Sequence, residues 1–262
     1  MEVLTPRSLD AALRLKAEHP QAIPIQGGTD VMVELNFDRM RPDVLLNLNE
    51  VPELQGWSMS DGELRLGAGL TYTEIERELV EALPALAEAS RTVGSPQIRN
   101  RGTVGGNLST ASPAGDALPP LLVYEAEVEV ASARGERTLA LPAFLRGPKK
   151  NALEPDELVV AVRVRVDGQP QTFMKIGPRN AMVIAVCSLA LVADFEHGEL
   201  RASFGSAGPV PGLVVAPLED ADSLPELVVS AASPIDDVRG TIAYRRHALE
   251  VLTRRALARC LA

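Results

Sequence analysis

The sequence predicts a protein of mixed helices and strands, with an antiparallel meander towards its end. Three observations carry this reading. Capped helices with apolar stripes alternate with short strands at the start of the chain. A long glycine- and proline-rich stretch covers residues 93–120. After Asp167-Gly168-Gln169-Pro170, apolar runs separated by short turns lead into a long final helix.

Taken in order, Ser8 caps a helix over residues 9–18, with Leu9, Ala12 and Leu13 on one face. Residues 22–26 form a short apolar strand, ended by Gly27-Gly28-Thr29-Asp30. Further strands cover residues 44–48 and 63–67. Thr71-Tyr72-Thr73-Glu74 is a capping box that opens a helix through residue 83, and a second helix covers residues 85–91. Residues 93–120 hold five glycines and four prolines with little periodicity. A loop of that length inside a compact domain is usually functional, so it is read as an ordered functional loop. Strands follow over residues 128–131, 137–140 and 158–166, then 172–176, 183–193 and 200–204 as the meander. Asp236 or Asp237 caps the last helix, with Val238, Ile242, Leu249, Leu252, Ala256 and Cys260 along its apolar face. Arg245, Arg246, Arg254, Arg255 and Arg259 read as its solvated face.

Composition narrows the function classes. A chain of 262 residues with 46 % hydrophobic and 23 % charged residues can bury a core without disulfides or metal. Aromatics are only 3 %, so aliphatic side chains must fill that core. A net charge of −9 argues against nucleic acid, which needs a positive footprint. Cys187 lies in an apolar run and reads as a buried thiol. Cys187, Cys260, His19, His197 and His247 are too scattered to form a metal site, so no metal is expected. The N-terminus lacks a basic region followed by an apolar stretch, and no segment approaches ~20 apolar residues. A cytoplasmic location is the expectation.

Two segments carry the candidate chemistry. One is Ile25-Gln26-Gly27-Gly28-Thr29-Asp30. The other is Gly102-Thr103-Val104-Gly105-Gly106-Asn107-Leu108-Ser109. Glycines let backbone N–H groups approach an anion, while Thr, Ser and Asn supply neutral donors. Either Gly-Gly pair alone can be a tight turn; together they suit the two phosphates of a dinucleotide. Gly67-Ala68-Gly69, between a strand and a helix, invites a nicotinamide-fingerprint reading, but Tyr72 stands where the third glycine belongs. A plain strand-to-helix turn is the better reading. No Ser or Cys nucleophile has a neighbouring His by motif.

The same residues resemble the FAD-binding subunit of the xanthine dehydrogenase and carbon monoxide dehydrogenase family of molybdenum hydroxylases. The resemblance runs through Gly27-Gly28-Thr29-Asp30, Gln97-Ile98-Arg99-Asn100-Arg101-Gly102-Thr103-Val104-Gly105-Gly106-Asn107 and Ala111-Ser112-Pro113-Ala114-Gly115-Asp116. It continues through Phe173-Met174-Lys175, Arg179-Asn180-Ala181-Met182, Ser203-Phe204-Gly205-Ser206-Ala207 and Tyr244-Arg245-Arg246, covering essentially the whole chain. It implies an α+β fold: a two-part FAD-binding domain of the PCMH type over residues 1–168, then a smaller domain of antiparallel sheet plus helices over residues 169–262.

By resemblance, Ile25, Gln26, Gly27, Gly28, Thr29, Asp30 and Val31 wrap the pyrophosphate of FAD together with Gly102, Thr103, Gly105, Gly106, Asn107 and Ser109. Asp116, after Gly115, reaches the ribose or adenine side. Val93 and Gly94 lie near the flavin and Lys175 near the isoalloxazine ring, where its charge favours the reduced anionic flavin. Leu158 or Val159 packs on the cofactor. The implied activity is electron relay inside a hetero-oligomer. A molybdopterin large subunit oxidises substrate, a small subunit with 2Fe-2S clusters passes electrons to FAD, and an external acceptor, NAD or another, removes them. The chain alone is then inactive as a hydroxylase. A flavin-free assembly subunit and a stand-alone NAD-dependent dehydrogenase are the alternatives. Three departures stand out. Ser109-Thr110 replaces the usual Cys-Asn. The insertion that holds a four-iron cluster in one branch is absent. Residues 209–234 look short and poor in helical pattern.

Overall fold

The computed structural model describes residues 1–262. Its first layer consists of β1 (Glu2–Leu4), α1 (Leu9–Glu18), β2 (Ile23–Ile25), α2 (Val31–Asn36) and β3 (Val44–Asn47). The three strands are parallel in the order β1-β3-β2. Parallel strands need a crossover, which α1 provides between β1 and β2. Ser8 caps α1 by accepting from the Ala11 N–H at 3.2 Å. At the other end Lys16 folds back, its Nζ donating to the Pro20 and Ala22 carbonyls at 2.7 and 2.8 Å. That closes the turn into β2. Helix α2, directly after the first glycine segment, is not foreseen in the sequence. At six residues it is too short to show a helical period.

A second unit follows. It contains β4 (Trp57–Ser60), β5 (Glu63–Gly67), α3 (Tyr72–Glu78), α4 (Pro84–Thr92), α5 (Pro96–Arg99), α6 (Val104–Thr110) and α7 (Leu118–Val123). Then come β6 (Glu127–Ser132), β7 (Gly135–Ala140), α8 (Leu141–Phe144), β8 (Leu145–Gly147), β9 (Lys150–Asn151) and β10 (Leu158–Arg165). The antiparallel sheet β4-β5-β10-β6-β7 has β10 at its centre, with Leu158, Val160, Val162 and Val164 buried. The capping box is present: Thr71 and Glu74 exchange side-chain-to-backbone bonds. The helix stops at Glu78 rather than residue 83. Pro84 excludes the helical conformation from Leu83 and begins α4 as its first residue.

Residues 93–120 are not one loop. Three short helices, α5, α6 and α7, occupy much of the stretch, with Ser95 capping α5 and Thr103 capping α6. Each is two turns or fewer, so no apolar stripe marks it. All six residues of α7 are buried, which removes the polar face that would have identified it.

The last unit contains β11 (Gln171–Ile176), β12 (Cys187–Asp194), β13 (Glu199–Gly205), β14 (Gly212–Pro217), α9 (Leu224–Ala231) and α10 (Ile242–Cys260). The sheet is an antiparallel meander, β11-β12-β13-β14. Strand β12 is buried on both faces, and side-chain alternation sorts its residues. Cys187, Leu189, Leu191 and Ala193 pack with α9 and α10, whereas Ala190 and Val192 join the core of the preceding unit. Strand β14 and helix α9 lie within residues 209–234, the segment that looks short and poor in helical pattern in the sequence.

Helix α10 begins later than expected. Its cap is Thr241, whose hydroxyl accepts from the Tyr244 N–H, and Val238 is fully exposed before the helix starts. Asp237 is occupied locally, accepting from the Arg239 and Gly240 N–H groups. Arg245 is not on the solvated face: it is 1 % exposed and donates to Val186 O and Asp237 at 2.6 Å each, and to Ser206 O. Burial works to raise the Asp237 carboxyl, and hydrogen bonds from Arg239 and Arg245 outweigh it, holding it at about 2. A carboxyl depressed by folding stabilises above its unfolded value of ~3.9 and loses that contribution as pH falls through its folded value. Asp237→Asn should therefore lower the urea midpoint near neutral pH and flatten the acid loss between about pH 4 and pH 2. A variant whose acid limb matches the parent would remove Asp237 from that linkage.

Candidate functional site

The two glycine segments meet backbone to backbone. A Cβ built on Gly27 would stand 2.0 Å from the Arg101 carbonyl oxygen, so only glycine allows this approach. Gly28 adopts φ +75°, a left-handed turn that carries the chain from β2 into α2. Side chains tie the segments further. Arg101 donates to Gln26 O at 3.0 Å, Thr110 to Asp30 at 3.0 Å, and Asn151 to Ser109 O at 2.7 Å.

Together these segments wall a cleft of about 880 Å³, within the range of small-molecule sites. Its lining includes Ile25, Gln26, Gly27, Gly28, Thr29, Asp30 and Val31, then Val93 and Gly94. Gly102, Thr103, Gly105, Gly106, Asn107 and Ser109 also face it, as do Gly115, Asp116, Leu158 and Val159. Lys175 is the exception. Its Nζ lies 2.5 Å from Asp116 and 3.1 Å from Thr92 O, behind the cleft wall. The resemblance puts Asp116 at the ribose or adenine side and Lys175 near the isoalloxazine ring; in the structure the two side chains form one ion pair. The Lys175 charge is spent on Asp116 rather than presented to the cleft. Burial pushes the Asp116 carboxyl up to about 6, against the attraction of Lys175.

The donors are distributed unequally. In α6 the first N–H groups are already used: Val104 donates to Leu70 O, Gly105 to Ala68 O and Gly106 to the Thr103 hydroxyl. In the first segment Gly27, Gly28, Thr29 and Asp30 lie outside any ladder, and their N–H groups have no acceptor within the chain. Free successive amides in a turn are the groups from which an anion-binding nest is built. The only basic residue lining the cleft is Lys16, and its ammonium is committed to carbonyls; the acidic lining residues are Asp30, Asp116, Glu154 and Glu157. An anion here is held by neutral donors.

Gln26, Asn107 and Asp116 line the cleft, and each carries a buried polar atom without a partner in the chain: Gln26 Nε2, Asn107 Oδ1 and Asp116 Oδ1. Buried polar groups are rarely left unpaired, which sets these three apart among the lining residues. Tyr72, Ser95, Ile98, Asn151 and residues 182–184 are among the other lining residues and are not foreseen in the sequence. The Ser95-Pro96 pair, a cap followed by proline, was the local signal for α5. The others come from remote segments and carry none. Gly67 and Gly69 do not line the cleft; they pack against Leu54 O and the amides of Gln26 and Gln55.

Residues 1–165 match the family described as the FAD binding domain in molybdopterin dehydrogenase. The chain is 31 % identical to the xanthine dehydrogenase FAD-binding subunit of Escherichia coli O157:H7, over 97 % of this chain and 94 % of that one. It is 36 % identical to the nicotinate dehydrogenase FAD-subunit of Eubacterium barkeri, over 71 % of this chain and 66 % of the other. The fold superposes on a subunit of the Hydrogenophaga pseudoflava carbon monoxide dehydrogenase that lacks the Mo-pyranopterin moiety. That match has a TM-score of 0.91 at 24 % identity and covers 100 % of this chain and 97 % of that one.

Proposed function

Because this chain belongs to the family of FAD-binding domains of molybdopterin dehydrogenases, as the FAD-binding oxidoreductase subunit of a molybdenum hydroxylase, we propose that its FAD occupies the cleft between the two glycine segments. The observation that carries this is the meeting of both segments on one cleft that offers four free amides and no free cation. Gly27, Gly28, Thr29 and Asp30 hold a phosphate through their N–H groups. Gly106 presents a surface without a side chain, and Asn107 supplies an amide beside it. Asp116 Oδ1 accepts from a hydroxyl, while Lys175 orients Asp116 from behind. Leu158, Val159 and Ile25 give apolar contact. When bound, FAD supplies the stepwise transfer of electrons, and the protein's part is to bind, orient and shield it.

In this reading electrons arrive from a partner subunit carrying 2Fe-2S clusters. A molybdopterin-bearing subunit oxidises the substrate, and an external acceptor takes the electrons away. Residues 1–168 hold the cofactor, and residues 169–262 brace it through Lys175 and residues 182–184. The chain carries no hydroxylase activity by itself.

Titration of the purified chain with FAD and FMN, followed by flavin fluorescence, tests the placement. Saturable binding of one FAD is expected, with FMN weaker by at least about tenfold because it lacks the second phosphate. Equal affinity for FMN would remove the dinucleotide reading. Anaerobic addition of a purine or aldehyde to the FAD-loaded chain should leave the flavin oxidised; rapid bleaching would place the hydroxylation chemistry in this chain.

A further inference from the structure

We propose that the Tyr72 hydroxyl donates a hydrogen bond to a phosphate oxygen of the dinucleotide, beside the free amides of Gly27 to Asp30; the inference rests on FAD occupying the cleft. Two of the three tyrosines are buried, and the fold treats them differently. Tyr124 is 7 % exposed, and its hydroxyl accepts from the Leu86 N–H at 3.2 Å and donates to Gln171. Tyr72 is 4 % exposed and lines the cleft, yet no group of the chain hydrogen-bonds its hydroxyl. Nor is its oxygen sealed off in the way that Gln26 Nε2, Asn107 Oδ1 and Asp116 Oδ1 are. A buried tyrosine hydroxyl ordinarily finds a partner, so this one points to a ligand in the cleft.

The backbone brings this side chain to the free amides. Tyr72 N–H donates to Gly102 O at 3.1 Å, and Val104 N–H donates to Leu70 O at 3.0 Å, which pairs residues 70–72 with 102–104. The ring then lies against Gly102, where a built Cβ would meet its Cδ2 and Cε2 at 3.1 Å. Gly102 is also the neighbour of Gly27, whose built Cβ would stand 3.2 Å from the Gly102 Cα. One glycine thus separates the phenol ring from the first of the four free amides. Burial first, then the carboxylates of Asp116 and Asp30, push the phenol upward, so it stays a protonated donor near neutral pH. Neither carboxylate accepts from it: Asp30 is held by Thr110 and Asp116 by Lys175. A phosphate oxygen suits such a donor, because an O–H bond to an anion is stronger than one to a neutral acceptor. Tyr72 stands where a nicotinamide fingerprint has its third glycine, and the cleft uses that position for a donor instead.

The test uses the full chain, with and without FAD. Tyr72→Phe removes a hydroxyl that holds nothing in the free chain, so its melting temperature without FAD should equal or exceed the parent's. Its FAD affinity should fall by about tenfold or more, because a hydrogen bond to a charged group is lost. Phosphorus NMR of the bound cofactor should show a phosphate resonance displaced between parent and variant. Tyr124→Phe should behave in the opposite way, with a lower melting temperature and unchanged FAD affinity. The proposal is overturned if Tyr72→Phe binds FAD as tightly as the parent. It is equally overturned if affinity falls while both phosphorus resonances stay in place, which would give the donor to another part of the cofactor. A loss of stability in Tyr72→Phe without FAD also overturns it, since the hydroxyl would then serve the fold. A parent chain that takes up no FAD overturns the cofactor placement itself, a result distinct from intact FAD binding that ignores Tyr72.

Discussion

Gly106→Val is expected to yield a folded protein that no longer holds FAD, with affinity weakened by at least about 100-fold. Gly106 faces the cleft, and a Cβ there would meet only the Thr103 hydroxyl, at 3.1 Å. That hydroxyl can yield by a few tenths of an ångström, so the fold tolerates the change, and valine costs the helix no more than glycine does. The added methyls would stand where the cofactor approaches α6. Gly105→Ala provides the contrast. A Cβ on Gly105 would lie 2.6 Å from Ala68 Cβ and 2.7 Å from Ala68 O, an overpacking that costs about 1–3 kcal/mol. Gly105→Ala should therefore lose stability, and Gly106→Val should lose cofactor with a melting temperature close to the parent. A folded Gly106→Val protein with unchanged FAD affinity would show that this segment does not face the cofactor.

Arg201→Met is expected to cost about 3–5 kcal/mol, the usual penalty for removing one partner of a buried ion pair. Arg201 is 6 % exposed. It donates to Val123 O at 2.8 Å, Asp194 at 2.9 Å, Glu199 at 2.8 Å and Asp167 at 3.3 Å. One guanidinium thus joins β13 to the end of α7 and to the connection between β10 and β11. Its loss would leave the buried Asp194 without its strongest counter-charge. The melting temperature should fall by roughly 10 °C, and Arg201→Lys should recover only part of it, because an ammonium cannot reproduce the planar fork. A drop of only a degree or two would mean that apolar packing of β12, not this cluster, holds the two units together.

Much of the fold is legible locally. Ser8 and the Thr71–Glu74 box announce their helices because a cap is a bond between residues two or three apart. Most strands can be read from their apolar runs, and the glycine segments mark the cleft because close backbone approach excludes a side chain at Gly27. Helices α5, α6 and α7 escape for a physical reason: two turns or fewer, or burial on every side, leave no amphipathic period to detect. The start of α10 is misread for another. Thr241 holds the cap position and Asp237 closes a turn before it, while Asp236 reaches past both to accept from the first helical N–H, that of Ile242, at 2.6 Å.

What the sequence determined by itself is therefore what depends on neighbours along the chain: the caps, most strands, the two glycine segments, and through them the kind of ligand the protein is built to hold. What only the tertiary structure decided is whatever depends on groups distant in sequence. It buried Arg245 where helix periodicity placed it in solvent, and it paired Lys175 with Asp116, 59 residues away. It also spent the amides of α6 on Ala68 and Leu70 and left those of Gly27 to Asp30 free. Charges and hydrogen-bonding groups act on whatever lies within a few ångströms, and chain order alone does not say what that will be.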